Sequence, residues 1–348
     1  MRQVKIISNI ILEYVYTLFG TSYSGSYKWN SGVLAPNGKI YCPPRAGIKV
    51  LEIDPIAKIT TLVGDTFPIA ENFAGGVLAS NGNIYFTPLN NTKILELNPT
   101  TLVTTLVGSV YSGSYKWFGG VLAPNGKIYF APYVSTQILE LNPTTLVTTL
   151  VGSVYSGNYK WAGGVLAPNG KIYFTPYTYG KILELNPTTL VTTLVGISLG
   201  TYIGSSLAFN GNIYFAPMGA TKILELNPTT LVTTLVGDTI TGSNKYLGCS
   251  LAPNGNIYFN GYEKPNIMEF NPVTKVNKDI TTLPATTYKY YGNRLAQNGK
   301  IYFIPYIANQ VAELAIVGGA EVDFIDTQIP ADLADLATSN YNKYYNKF

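Results

Sequence analysis

Seven glutamates, Glu52, Glu96, Glu140, Glu184, Glu225, Glu269 and Glu313, recur in matching surroundings along a chain of 348 residues. Carboxylates can do acid–base work, but that chemistry needs two groups whose environments differ, so that one stays protonated while the other ionises. Equivalent copies instead predict pairing across a sheet, with Lys39, Lys127, Lys171 or Lys300 as partners, or with Asn83, Asn212 or Asn256 by hydrogen bonding. The chain has no histidine, so it can form neither a Ser-His-Asp triad nor a histidine-containing zinc site. Its two cysteines, Cys42 and Cys249, fall at different places in the repeat and predict neither a disulfide framework nor a metal quartet.

A second cluster is aromatic and cationic. Trp29, Phe73, Trp117, Trp161, Tyr202, Tyr246 and Tyr290 each stand eight residues before a recurring asparagine, and Lys28, Lys116, Lys160, Lys245 and Lys289 directly precede five of them. Rings and ammonium groups gathered on one face can meet a sugar or an anionic group. The competing reading is a wedge between neighbouring sheets, each ring burying on the order of 150–250 Å². Both hold where the ring is buried and only the ammonium group reaches water. Upstream, Tyr111, Tyr115, Tyr155 and Tyr159 lie on Ser-Gly loops of the kind that suit adaptable recognition. The expected ligand-binding set is therefore Lys28, Trp29, Tyr111, Tyr115, Lys116, Trp117, Tyr155, Tyr159, Lys160, Trp161, Lys245, Tyr246, Lys289 and Tyr290. Other loops vary more, bringing in Arg45, Tyr177, Tyr179, Glu263 and Lys264.

The elements that carry these residues follow from periodicity. Charged residues make up 12% of the chain, and 28 Tyr with 34 Gly favour strands and tight turns. An Asn-Gly pair recurs at Asn37, Asn81, Asn125, Asn169, Asn210, Asn254 and Asn298, at intervals of 44 residues with one of 41. That length holds four short strands. In the third unit these are 120–123, a turn at Pro124-Asn125-Gly126, 127–131, 138–141, and 146–151 after Asn142-Pro143. Seven such sheets predict an all-β fold, a single seven-bladed β-propeller over residues 1–318. The seventh unit lacks its Thr-rich fourth strand, while residues 14–20 (YVYTLFG) match that strand in spacing. The N-terminal strand, about residues 12–20, should therefore complete the last blade and remove a free edge. Residues 319–348 form a C-terminal tail, acidic and then basic-aromatic, with a short helix expected over 331–337.

The segments GGVLAPNGKIYFAP and ILELNPTT resemble the hairpin and Asx-Pro turn of the seven-bladed NHL, YVTN and SMP-30/gluconolactonase-like propellers, over roughly residues 12–317. The near-identical copies also resemble surface or tail-associated propellers of bacteria and phages. The SMP-30-like resemblance implies a divalent metal held by acidic and asparagine side chains at the channel. Here the inner strands read mostly GVLA or GGVLA, and Asn293 with Arg294 are their strongly polar departure, so no metal or cofactor is expected. A net charge of +4 from scattered basic residues speaks against nucleic acid. Glu13 interrupts the apolar start and no small-residue cleavage site follows, so no signal peptide is read there. No run of about 18 apolar residues predicts a membrane span. The expectation is a non-catalytic recognition or structural module on a cell or virus particle surface. It would bind a glycan or protein through its loop face, attach through its tail, and could join a larger assembly. The alternative is a lactonase-like small-molecule enzyme using a set such as Asn293, Arg294, Glu263 and Lys264.

Overall fold

A computed structural model describes residues 12–67, 72–197, 200–283 and 289–318. The strands form seven antiparallel sheets of four, six of them built from consecutive segments. Inner strands Val33–Leu34, Phe73–Leu78, Trp117–Leu122, Trp161–Leu166, Tyr202–Leu207, Tyr246–Leu251 and Tyr290–Leu295 each touch the next, and the last touches the first. The contacts therefore run in a closed circle, and the fold is the expected seven-bladed propeller.

Closure falls where the repeat pattern places it. Leu12–Phe19 pairs antiparallel with Val311–Gly318, from Leu12 opposite Gly318 to Phe19 opposite Val311. The tail at 319–348, with its expected helix, lies outside the described residues.

In the third blade two strand starts differ from the sequence reading by more than one residue. The inner strand of the third blade begins at Trp117, because a bulge lets Trp117 pair with Pro132 before Gly120 pairs with Phe130. Gly119 sits in that bulge at φ +73, where L side chains are strained. A Cβ there would lie 2.9 Å from the Gly163 Cα of the next blade. The fourth strand starts only at Thr148, because Leu146 adopts φ 59 in the preceding turn.

Seven hydrophobic clusters each span two neighbouring blades. Trp117 packs with Val77, Tyr85, Ile94 and Val107 of the second blade, and Trp161 with Val121, Tyr129, Ile138 and Val151 of the third. On the face that carries the Asn-Gly and Asn-Pro turns, the seam is polar and repeated. Lys39, Lys127, Lys171 and Lys300 meet Glu52, Glu140, Glu184 and Glu313 at 2.7–2.9 Å. Asn83, Asn212 and Asn256 donate to Glu96, Glu225 and Glu269 at 2.5–2.7 Å, as the sequence predicted. The strand-two tyrosine bridges to the next blade: the Tyr173 hydroxyl lies 2.8 Å from Glu184 and 3.2 Å from the Pro228 carbonyl. At the join, Tyr302 reaches the Pro55 carbonyl at 3.3 Å, and Lys58 pairs with Glu313. The seventh blade has no Asn-Pro turn to offer the sixth, and Tyr14 of the N-terminal strand donates to Glu269 at 2.9 Å instead.

Candidate recognition site at the mouth of the ring

The connection from each outer strand to the next inner strand is stitched to the neighbouring blades by backbone hydrogen bonds. Lys116 N donates to Leu89 O of the second blade at 3.0 Å, and Tyr133 N of the third blade donates to Lys116 O at 3.0 Å. These connections share one face with the loops between second and third strands. That face is called the mouth here.

The repeated lysines are corrected in one respect: their ammonium groups turn inward. Lys28, Lys116, Lys160, Lys245 and Lys289 are all buried, none above 4% exposed. The Lys160 ammonium donates to Gly157 O at 2.7 Å and Val134 O at 3.1 Å. Lys116 donates to Gly113 O and Leu89 O, Lys28 to Gly25 O and Ile307 O, and Lys245 to Gly242 O. Lys28, Lys116, Lys160 and Lys245 thus each tie their own loop, and the first three the neighbouring blade's loop as well. Burial pushes Lys28, Lys116 and Lys160 down to about 8, and lowers Lys245 and Lys289 as well.

The aromatic members divide in two. Trp29, Trp117, Trp161, Tyr246 and Tyr290 are buried wedges, and the three indole N–H groups donate to Lys49 O, Gln137 O and Lys181 O at 2.8–2.9 Å. Tyr111 and Tyr155 stand edge-on to Trp117 and Trp161 at 5.1 Å, with hydroxyls on Thr148 and Thr192, so they brace the wedge. Tyr115 and Tyr159 stand apart from that packing. Both hold left-handed backbone, φ 54 and 56, and Tyr159 is 42% exposed. Non-glycine residues in that region are uncommon and cost of order 1 kcal/mol or more. Their rings lie 6.2 Å apart, and Tyr159 lies 5.1 Å from Tyr133, which in turn is 5.6 Å from Tyr177.

This crescent continues across the axis. One cluster draws Ala74, Leu89, Phe118, Ala162, Ile203, Leu247, Tyr291 and Tyr306 from the second through the seventh blades, so side chains plug the axis beneath the mouth. Phe118 of the third blade lies 6.0 Å from Tyr291 of the seventh. Tyr291 stands 5.1 Å from Tyr306, which stands 5.1 Å from Tyr27, itself at φ 59 and 44% exposed. Arg45 of the first blade closes the circuit, its guanidinium 5.3 Å from the Tyr306 ring and 5.7 Å from the Tyr291 ring.

The signal for this set was one repeat position. Arg45, Leu89, Tyr133, Tyr177, Met218, Tyr262 and Tyr306 each follow the last residue of the second strand or its equivalent. Sequence reasoning marked Arg45 and Tyr177 as variable, but it passed over Tyr133, Tyr306, Tyr27, Phe118 and Tyr291. Glu263 accepts from Asn244 at 2.8 Å, while Asn293 donates to Tyr258 O at 3.0 Å and accepts from Ser250 at 2.9 Å. Among the described residues, no group of three or more Asp, Glu or Cys side chains is placed to hold a metal ion, and no helix is long and apolar enough to cross a membrane.

No family model and no curated protein matches the chain. Solved structures match the fold. A streptogramin B lyase is 16% identical with a TM-score of 0.73, covering 87% of this chain and 98% of that one. A catalytically inactive histidine-to-alanine variant of virginiamycin B lyase from Staphylococcus aureus, with quinupristin, is 14% identical with a TM-score of 0.74, covering 88% and 100%. The extracellular domain of a putative one-component system from B. thetaiotaomicron is 10% identical with a TM-score of 0.65, covering 85% of this chain and 42% of that one. At these identities the likeness establishes the seven-bladed architecture and carries no activity across.

Proposed function

We propose that this propeller is a non-catalytic recognition module whose tyrosine-lined mouth binds a glycan or a protein surface. The supporting observation is the crescent of Tyr115, Tyr133, Tyr159 and Tyr177, in which two rings are held in costly backbone conformations. Tyrosine offers flat apolar area with a polar tip at low entropic cost, which suits both sugar faces and protein loops. Display on a cell or particle surface, with residues 319–348 as the attachment, fits this reading and is supported by the extracellular domains among the structural neighbours.

The lyases among the neighbours favour a second reading, a small-molecule enzyme. Their chemistry would have to be rebuilt here without histidine, since the chain has none.

A glycan array probed with wild type and with the Tyr133→Ala/Tyr159→Ala double variant tests the proposal. Sugar binding lost in the double variant, at unchanged melting temperature, supports it. Equal binding by both proteins, or turnover of a cyclic ester or depsipeptide by the wild type, overturns it.

A further inference from the structure

Resting on the reading above, we propose that Lys116 and Lys160 are positioning residues of the recognition site: their charged hydrogen bonds hold the loops of Tyr115, Tyr133 and Tyr159 in the crescent, which loosens when the charge is lost. Among the described residues, left-handed backbone and these lysines occur together. Tyr27, Tyr115, Tyr159 and Asn244 lie at φ 59, 54, 56 and 43, and each is followed directly by one of the buried lysines, Lys28, Lys116, Lys160 or Lys245. Where Thr201 replaces the lysine, the residue before it is Gly200, which has no Cβ to strain. Costly backbone of this kind persists only where its surroundings over-determine it, and the lysine is the neighbour placed to do so.

The Lys160 ammonium joins two loops. It donates to Gly157 O of its own loop at 2.7 Å, and to Val134 O and Tyr133 O of the third blade at 3.1 and 3.4 Å. The main chain repeats the link, since Lys160 N donates to Tyr133 O at 2.8 Å and Tyr177 N donates to Lys160 O at 2.9 Å. Lys160 therefore connects the loops of Tyr133, Tyr159 and Tyr177. Lys116 does the same one blade earlier, with Gly113 O at 2.8 Å and Leu89 O at 3.2 Å on its ammonium, and Tyr133 N on its carbonyl at 3.0 Å. A charged donor makes a bond roughly twice as strong as a neutral one. A neutral amine also has one N–H fewer than an ammonium, so Lys160 loses a bond outright when it deprotonates.

Carbonyl dipoles hold this charge without a counterion. The connections packed around Lys116 bring Tyr111, Tyr115, Tyr133 and Lys93, and those around Lys160 bring Tyr133, Tyr155, Tyr159, Tyr177, Tyr179 and Lys181. The Arg45 charge reaches Tyr133 as well. Neither set of connections carries a carboxylate. Burial alone lowers both amines, to about 8, so the charge is present at neutral pH and is lost as pH climbs through about 8. Stability of the whole fold moves the other way over that interval, because the unfolded chain, with lysines near 10.5, then holds more protons. Loosening confined to the mouth while the fold gains is a signature that general alkaline unfolding does not share.

The test is amide hydrogen exchange on the full chain from about pH 6.5 to about pH 9.5, with rates corrected for base catalysis. The expected result is a loss of protection of about tenfold in segments 111–118, 133–137 and 153–161 as pH passes about 8, with the strand Ile172–Pro176 unchanged. The Lys116→Met/Lys160→Met double variant keeps the apolar stems and removes the charges. Its loops should be poorly protected at every pH and show no step. A wild type without the step, or a double variant that keeps it, overturns the proposal. So does a double variant as well protected as the wild type at the acid end of the range, because the stems alone would then pack the loops. Should the double variant not fold, the presence or absence of the wild-type step still decides. The measurement uses no ligand, so failure of the glycan reading, which the array exposes, is told apart from failure of the tether.

Discussion

The two faces of the ring are built by opposite rules. On the turn face, the same asparagine, tyrosine and glutamate recur blade after blade, and six of the tyrosines reach a proline carbonyl of the next blade at 3.2–3.4 Å. On the mouth face, equivalent positions hold arginine, leucine, tyrosine or methionine. A position that must hold neighbouring sheets at a fixed angle faces the same demand seven times, so its residue repeats. A position facing a ligand that lacks sevenfold symmetry faces a different demand in each blade. Repetition thus marks scaffold here, and on the function proposed above departure from it marks recognition.

That contrast can be broken most severely at the join. Deleting residues 1–20 removes the fourth strand of the last blade, with Tyr14, Tyr16 and Phe19, and bares the edge of Val311–Gly318. The expected result is loss of cooperative unfolding, together with association visible by light scattering. A monomeric, cooperatively melting product would show that the ring does not need this strand.

The next test sets the two kinds of aromatic side by side. Trp161→Ala, at 0% exposure, should cost about 3–5 kcal/mol in denaturant unfolding. Tyr159→Ala, two residues earlier, should cost under about 1 kcal/mol while weakening ligand binding severalfold. Comparable losses of stability would erase the distinction between wedge and crescent.

The smallest effect is in alkaline stability. Burial raises the Tyr85 hydroxyl to about 12 in the folded chain, where the unfolded residue titrates near 10.0. A raised folded value contributes stability that is full below pH 10 and is lost as pH climbs through 12. The buried lysines act in the opposite sense. With folded values of about 8 against 10.5 unfolded, Lys28, Lys116 and Lys160 let stability rise over that window, because the unfolded chain then holds more protons. Urea midpoints should therefore climb gently above pH 8 and fall beyond pH 10, with a shallower fall in Tyr85→Phe. An unchanged slope in that variant would remove the turn-face tyrosines from the account.

The architecture was legible because repetition exposes it. The interval between Asn-Gly pairs set the unit, the missing fourth strand pointed to residues 14–20, and the glutamates' partners followed from cross-strand spacing. The mouth was less legible. Spacing places Lys160 beside Trp161, but the direction of its ammonium depends on carbonyls at Val134 and Gly157 that the left-handed turn at Tyr159 brings within reach. Phe118 and Tyr291 meet across the axis although 173 positions separate them, and no local pattern announces that meeting.

Among the described residues, the fastening at the seam touches the first, sixth and seventh blades and nothing between the second and fifth. Excising one whole 44-residue unit from that stretch would leave every rung of the fastening in place. What resists a change in number is the axial row of glycines, where a methyl on Gly248 would meet Gly292 at 2.9 Å and one on Gly292 would meet Ser31 at 3.0 Å. The close nesting of adjacent backbones thus constrains how the blades fit around the axis, while the clasp itself would accept a longer or shorter necklace.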